Sequence, residues 1–306
     1  MKRVARTRAA LNKQIKLDPE EIKIKKEFDV PSVKVESPTA LELNENVSVK
    51  MESIKSEFTT VKEEPIDLNY SDSISKKPNN WEQVYQLIKE FRKENKADVD
   101  TVGCAKLFDE SEPEQIKRYQ ILTSLQLSSQ TKDPITAQAV ANLKQAGLNP
   151  SNIAKMDPIE LNKLISKVGY HNKKTVYLQK TANILLEKYN GDVPNNLKEM
   201  LDLPGVGPKM AYLAMQECWN LVEGIGVDTH VHRICNRLGW VKSKAPEQTR
   251  AQLQDWLDKK YWSEVNVLLV GYGQVLCKPV NPMCGSCPVA HLCPKIGSRK
   301  GKNVDW

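Results

Sequence analysis

The sequence lacks any long apolar run, since no stretch of about 18 residues is apolar throughout, as a membrane-spanning helix requires. The basic start, Met1–Arg8, is not followed by an apolar segment, so no secretory signal is expected. A chain without such a signal should stay in a reducing compartment, where its seven cysteines do not form a disulfide framework. Strand signals are also sparse. The sequence therefore predicts an all-α protein without membrane spans or structural disulfides.

The first 79 residues have few aromatic residues and no regular apolar pattern, both of which a packed domain needs. Their aromatic residues are Phe28, Phe58 and Tyr70, and no sustained helical or strand period runs through them. Such a segment cannot bury enough apolar surface to offset the entropy of ordering. We therefore expect residues 1–79 to form a disordered N-terminal tail.

The tail repeats an aliphatic–Lys–x–Glu pattern that resembles the acceptor motif for the small ubiquitin-like modifier, SUMO. The lysines in this pattern are Lys25, Lys34, Lys50, Lys55 and Lys62. The alternative is a Lys/Glu-rich tail with scattered valine and isoleucine, and the pattern alone leaves both open. The basic, acid-free start of the chain suits a nuclear signal or a mitochondrial presequence. The repeated motifs favour the nucleus.

From residue 81 onward, apolar residues recur at helical spacing. Asp133 and Asp157 each precede a proline and are predicted to be helix N-caps. Gly147, Gly169 and Gly239 are predicted to end helices. After the first helix, which begins near residue 81, the predicted helices are 113–127, 133–146, 157–167, 171–189, 196–202, 208–220, 229–238, 247–258 and 262–275.

The stretch Leu203–Lys209 reads Leu-Pro-Gly-Val-Gly-Pro-Lys and predicts a tight hairpin that opens a helix. The backbone amides of Gly205, Val206, Gly207 and their neighbours would form a phosphate site at the positive end of that helix. An amine there is unusual, because the same field disfavours its protonated form and so favours a nucleophilic Lys209. A phosphate site beside a nucleophile suggests covalent chemistry on nucleic acid. The net charge of +7 agrees with an anionic partner.

Asp228 follows Gly226-Val227 and is the predicted N-cap of the next helix. Most aspartates at such positions are caps and nothing more. Spacing alone does not show that Asp228 faces Lys209.

Four cysteines near the C-terminus are separated by six, two and five residues: Cys277, Cys284, Cys287 and Cys293. Four thiolates this close in a reducing compartment indicate a metal site. Zinc and an iron–sulfur cluster both accept four thiolates, so the spacing leaves the metal open.

The hairpin, the segment around Asp228 and the four-cysteine spacing, in this order, resemble the endonuclease III family of DNA glycosylases in the helix-hairpin-helix superfamily. The resemblance implies a six-helix barrel domain and an iron–sulfur cluster domain. Residues 112–221 would form the six-helix domain with the helix-hairpin-helix, and residues 80–111 and 222–306 the cluster domain. It also favours a [4Fe–4S] cluster over zinc on the four cysteines.

The same resemblance implies a bifunctional glycosylase and AP lyase of base excision repair that removes oxidised pyrimidines from duplex DNA. Lys209 would attack the sugar C1′, form a Schiff base and allow β-elimination on the 3′ side, while Asp228 would stabilise positive charge and assist proton transfers. Gln130 would fill the gap left by the flipped base. Tyr170 would occupy a second wedge position, where bacterial relatives often carry leucine. Double-stranded DNA with damaged pyrimidines or abasic sites is the implied partner, and we expect a monomer in the nucleus, with the mitochondrion as a further location.

Three alternatives differ from this interpretation. Adenine glycosylases of the same superfamily lack the lysine and add a C-terminal domain, so Lys209 and the short stretch after Cys293 argue against them. A binding module without catalysis would need the hairpin but neither Lys209 nor Asp228. A zinc-stabilised scaffold would leave the hairpin unexplained.

Overall fold

The computed structural model of the protein describes residues 77–298. The tail lysines of the SUMO-like pattern and the basic start of the chain lie outside this range, as does nearly all of the predicted tail. Between residues 77 and 298 the regular structure is helical and no strand occurs, which confirms the all-α prediction. Within the same range, no helix is both long and apolar enough to span a bilayer.

The described chain forms a series of α-helices joined by short loops and three 3₁₀ turns. The 3₁₀ turns are Cys104–Lys106, Lys259–Tyr261 and Cys284–Ser286. The α-helices are α1 (Trp81–Glu94), α2 (Asp98–Thr101), α3 (Glu114–Ser128), α4 (Asp133–Gln145), α5 (Pro150–Lys155), α6 (Pro158–Leu164), α7 (His171–Lys188), α8 (Leu197–Leu201), α9 (Pro208–Trp219), α10 (Thr229–Arg237), α11 (Pro246–Trp256) and α12 (Trp262–Val275).

A first hydrophobic core surrounds α3. Every residue of α3 from Tyr119 to Leu127 is buried, as expected for a helix enclosed on all sides. Helices α4, α7 and α9 pack around it. The core draws its buried residues from 119–215, so the loop before α9 is anchored in this core.

A second hydrophobic core combines the start of the described chain with its end. Helix α12 packs against α1, α2 and α10, and the buried residues come from 81–88 and 225–289. Aromatic rings reinforce it: Trp81 lies edge-to-face on Trp256 at 5.5 Å and on Tyr261 at 5.2 Å between ring centroids. The domain boundaries expected at residues 112 and 222 stay predictions. The buried residues of the first core fall between these two positions, and those of the second core fall outside them.

Four details differ from the expectations. The short helix α2 was not predicted. Helix α5 was not predicted either, although Asn149 caps it by accepting from Asn152 N at 2.9 Å and Pro150 opens it. Asp133 is the first residue of α4 rather than its cap, and its carboxylate accepts a hydrogen bond from Gln274 Nε2 at 2.7 Å. That contact joins the first core to the second.

Gly169 is not a helix stop, unlike Gly147 and Gly239, which have positive φ. The left-handed residue is its neighbour Tyr170, at φ 57°. Gly169 is needed for close approach instead, because a Cβ there would lie 2.5 Å from the Gln130 carbonyl oxygen.

Candidate active site and cysteine-lined metal centre

The hairpin before α9 is built from one buried anchor and two glycines with different tasks. Val206 is buried in the first core, and its amide donates to Leu203 O at 3.1 Å to close the turn. Gly205 has φ +74°, and a Cβ there would lie 2.5 Å from the Tyr177 ring. Gly207 is the N-cap of α9 with φ −96°, and a Cβ there would meet nothing within 4 Å. The fold therefore demands glycine at 205, whereas at 207 it leaves space in front of the backbone.

Lys209 lies in the first turn of α9, two residues after Gly207. The amides of that turn lack intrahelical acceptors, as at every helix start. The chain then returns past Lys209: a Cβ on Gly226 would lie 3.3 Å from the Lys209 carbonyl oxygen. Two residues later, Asp228 caps α10 by accepting from Val231 N at 2.8 Å, which confirms the predicted cap. The structure thus brings the start of α9 and the start of α10 together.

His230, in the first turn of α10, is surrounded by charged groups from both helix starts. Burial lowers the pKa of its imidazole. Asp228 and, more weakly, Asp133 oppose this decrease in pKa, whereas Arg233 and Lys209 add to it. One partly buried imidazole is therefore within electrostatic reach of both predicted catalytic residues. Spacing in the sequence could not show this.

The four predicted metal ligands line one pocket between α10, α12 and the C-terminal loop. All four are free thiols in the structure. Arg237 Nη1 lies 3.4 Å from Cys277 Sγ, and the Tyr272 hydroxyl lies 2.9 Å from Cys287 Sγ. Burial, and to a smaller extent the neighbouring sulfurs, raise the pKa of Cys284 to about 11, while Lys295 opposes this increase. A cationic metal group would relieve the cost of ionising these thiols.

The donor set is of the kind that holds a metal, since four thiols line one pocket. Hydrogen bonds reach three of their sulfurs: Arg237 at Cys277, the Tyr272 hydroxyl at Cys287 and the Lys295 amide at Cys293. Four thiolates fit an iron–sulfur cluster by their chemistry.

Gln130 and Tyr170 lie together on the first core, beside the hairpin. Both are exposed, both have positive φ, at 50° and 57°, and both line a cleft of about 180 Å³. Gly205 and Tyr177 line the same cleft. The two predicted wedge residues and the predicted phosphate hairpin therefore share one surface.

Three buried polar residues at these sites were not predicted. Gln126 Nε2 donates to Pro204 O at 2.9 Å and supports the hairpin from below. Lys174 donates to Leu127 O in the last turn of α3 and to Ser129 O in the loop that follows. Arg237 donates to Lys278 O at 2.6 Å and to Pro279 O at 2.8 Å in the cysteine loop. A signal existed for Lys174, because it occupies the apolar stripe of α7 at helical spacing from Leu178.

Comparison with known proteins agrees with this geometry. Residues 123–259 match the family model described as HhH-GPD superfamily base excision DNA repair protein. The chain is 50% identical over 219 residues to Endonuclease III-like protein 1 of Gallus gallus, which covers 71% of this chain and 78% of that protein. The chain belongs to the endonuclease III family.

Two further similarities extend this result. The chain is 47% identical over 228 residues to the Endonuclease III homolog of Schizosaccharomyces pombe, covering 73% of this chain and 64% of that protein. The solved structure of a trapped endonuclease III–DNA covalent intermediate, an estranged-adenine complex, matches with a TM-score of 0.60 at 27% identity. That match covers 70% of this chain and 95% of the other.

The predicted family and the helix-hairpin-helix glycosylase fold are thus confirmed. This endonuclease III-like protein is a DNA glycosylase and AP lyase of base excision repair. Its family is known to bind a [4Fe–4S] cluster. Family membership defines the class of reaction but not the role of any single residue in this chain.

Proposed function

We propose that this enzyme removes oxidised pyrimidines from duplex DNA through a Schiff base on Lys209 and then cuts the strand on the 3′ side by β-elimination. The observation that carries the proposal is the position of Lys209. Lys209 follows the hairpin in the first turn of α9. Lys209 and Asp228 both act on the pKa of His230, so both are near that imidazole. A DNA-binding module without catalysis would need neither residue.

In the first step, Lys209 Nζ forms a bond to the sugar C1′ while the C1′–N bond to the damaged base breaks. The base leaves with a proton and the sugar ring opens, which leaves a protonated Schiff base. That iminium acidifies the C2′ hydrogen, so its removal allows the C3′–O3′ bond to break. Lys209 is regenerated when water hydrolyses the imine.

Asp228 stabilises the positive charge that develops on the sugar and assists the proton transfers. Its position supports this role, because the cap uses Oδ1 as acceptor for Val231 N and a carboxylate has further lone pairs for a second partner. His230 is held next to these groups with its pKa lowered by burial.

The hairpin holds the DNA backbone. Amides of Gly205, Val206 and Gly207 and of the α9 start would bind a phosphate, and the open face at Gly207 supports this approach. Gln130 would enter the space left by the extruded base, and Tyr170 would stack on bases beside it. The exposure and shared cleft of these two side chains favour that assignment.

Cys277, Cys284, Cys287 and Cys293 would hold a [4Fe–4S] cluster. When bound, the cluster supplies the bonds that organise the C-terminal loop, and it can exchange an electron. Arg237 and Tyr272 would donate hydrogen bonds to its sulfur ligands. An absorption band near ~400 nm with four irons per chain would support this assignment, whereas one zinc without colour would contradict it.

Borohydride trapping tests the chemistry. The wild-type protein should form a covalent adduct with a duplex that carries an oxidised pyrimidine or an abasic site. Lys209→Gln should give no adduct while still binding that duplex. A folded wild-type protein that binds DNA but forms no adduct would favour the binding-module interpretation.

The N-terminal tail carries a separate proposal. We infer that Lys25, Lys34, Lys50, Lys55 and Lys62 accept SUMO in the nucleus, because the pattern occurs five times in one tail. Purification of the tagged protein from cells followed by mass spectrometry of lysine conjugates tests this. Conjugates on none of these lysines, or a protein found only in mitochondria, would contradict it. We expect the enzyme to act as a monomer.

A further inference from the structure

Lys174 is a charged residue on the apolar face of α7. Only 6% of it is exposed, and Leu178 and Leu185 share its side of the helix. None of the chemical steps proposed above uses it. Burial of an ammonium is strongly unfavourable unless it is paired or hydrogen-bonded, so the partners of Lys174 must explain its position.

The Lys174 ammonium reaches the segment that follows α3. Its Nζ donates to Leu127 O at 2.7 Å and to Ser129 O at 2.6 Å, and it lies 3.4 Å from Thr131 Oγ1. The three donors of the ammonium therefore each have an acceptor. The Leu127 carbonyl lies in the last turn of α3, where the helix dipole also favours a cation. Burial lowers the pKa of Lys174 to about 8, while these oxygen acceptors favour its charged form.

Thr131 extends this contact to the loop before α7. Its hydroxyl donates to Ser129 O at 3.2 Å, and its Oγ1 accepts from Gly169 N at 3.1 Å. Gly169 lies so close to the first loop that a Cβ on it would be 2.5 Å from Gln130 O. The loops 128–132 and 168–171 therefore form one unit, with Lys174 beneath it.

Gln130 and Tyr170 project from this two-loop unit. A left-handed conformation is unfavourable for a non-glycine residue and persists where the surroundings enforce it. Both residues are in that conformation, and their side chains are exposed, Tyr170 by 62%. The network beneath holds the two backbones, and the side chains remain free.

We propose that Lys174 is a positioning residue that locks the two loops together, so that Gln130 and Tyr170 enter the duplex as a pair when the base is extruded. This rests on the proposed function, since it concerns the extrusion step of that reaction. Lys174 Nζ is committed to loop oxygens, so it acts through the loops and not on the sugar. Losing the lock would slow extrusion from paired DNA and spare the chemistry on DNA that is already open.

The test compares two substrates under single-turnover conditions: the lesion in a normal duplex, and the same lesion in a small bubble of unpaired bases. For Lys174→Met, base removal from the duplex should fall roughly 10–100-fold, the cost of misplacing groups by about an ångström. Removal from the bubble should stay within about threefold of wild type, because unpaired bases need little work to extrude. Lys180→Met, an exposed lysine on the same helix, should match wild type on both substrates.

Thr131→Val provides an independent variant, because it removes one hydroxyl and nearly preserves the shape. Thr131→Val should show the same loss of rate on the duplex only. The double variant with Lys174→Met should lose less than the two single losses combined, since both residues belong to one network. Thr131→Val alone carries the test if Lys174→Met does not fold.

Equal losses on duplex and bubble, together with a lowered melting temperature, would reduce Lys174 to a structural role. An undiminished rate on the duplex would overturn the inference directly. A wild-type protein that forms no borohydride adduct on either substrate would overturn the proposed function, and this inference with it.

Discussion

The two hairpin glycines should respond in opposite ways to the addition of a single methyl group. At Gly205, alanine would hold φ near +74°, which costs about 1–2 kcal/mol. Its Cβ would also lie 2.5 Å from the Tyr177 ring, and the forced shift of that ring adds about 1–3 kcal/mol. At Gly207 neither cost applies, since φ is −96° and nothing lies within 4 Å of the added carbon.

Gly205→Ala should therefore lose about 3 kcal/mol of unfolding free energy, which is roughly 6–12 °C in Tm for a domain of this size. Gly207→Ala should melt within about 1 °C of wild type or slightly above it, because alanine restricts the unfolded chain. Its defect should appear on DNA. A methyl group on the open face would displace a phosphate from amides whose charge-assisted bonds contribute about 1.5–3 kcal/mol, so affinity should fall about 10–100-fold.

Thermal unfolding without DNA and binding to a lesion-free duplex at one fixed salt concentration measure the two effects separately. Equal destabilisation of Gly207→Ala and Gly205→Ala would contradict this prediction, because the space at Gly207 would then serve the fold. Wild-type affinity of Gly207→Ala for duplex would also contradict it, because no phosphate would then approach that face.

Further variants test the rest of the site. Asp228→Asn should lose most turnover. Its free energy of unfolding should stay within about 1 kcal/mol of wild type, since asparagine caps a helix as well as aspartate does. Turnover within a few-fold of wild type would show that Asp228 is only a helix cap. Arg237→Met should lower the free energy of unfolding by at least about 3 kcal/mol and should lower the iron content of the protein. The reason is that two short hydrogen bonds to carbonyls of the cysteine loop are lost. The partly exposed ion pair Arg250–Glu247 supplies the control, as Arg250→Met should lower the unfolding free energy clearly less than Arg237→Met, because Arg250 bonds to side chains that remain partly in solvent. Oxidative removal of iron should make residues 277–293 sensitive to protease before 123–215; simultaneous digestion of both regions would contradict this.

Local signals in the sequence were enough for most helices and for the caps at Asp157 and Asp228. Pro208 after Gly207 predicted where α9 begins, because a proline at the first helical position and a hairpin before it are local features. The buried polar contacts are different. Gln126 supports Pro204, and Lys174 supports Leu127, across long stretches of chain. Only packing of α3 against α7 and the hairpin brings such partners together, so spacing along the chain could not reveal them.

Helix α10 connects the cysteine loop to Asp228, one of the two proposed catalytic residues. Asp228 caps its start, and Arg237 at its end donates to the Lys278 and Pro279 carbonyls. Between them, Arg233 donates to Cys277 O at 2.9 Å and lies 3.2 Å from His230 Nδ1.

Lys209 belongs to α9, whose Ala211, Ala214 and Met215 are buried in the other hydrophobic core. Because a short helix moves as a rigid unit, a displaced cysteine loop would shift Asp228 relative to Lys209. If the four cysteines hold the proposed cluster, it would therefore support turnover by holding α10 in place. The hairpin is anchored in the first core and should still bind DNA when the metal is lost. Iron-depleted enzyme should therefore bind duplex DNA but show no turnover.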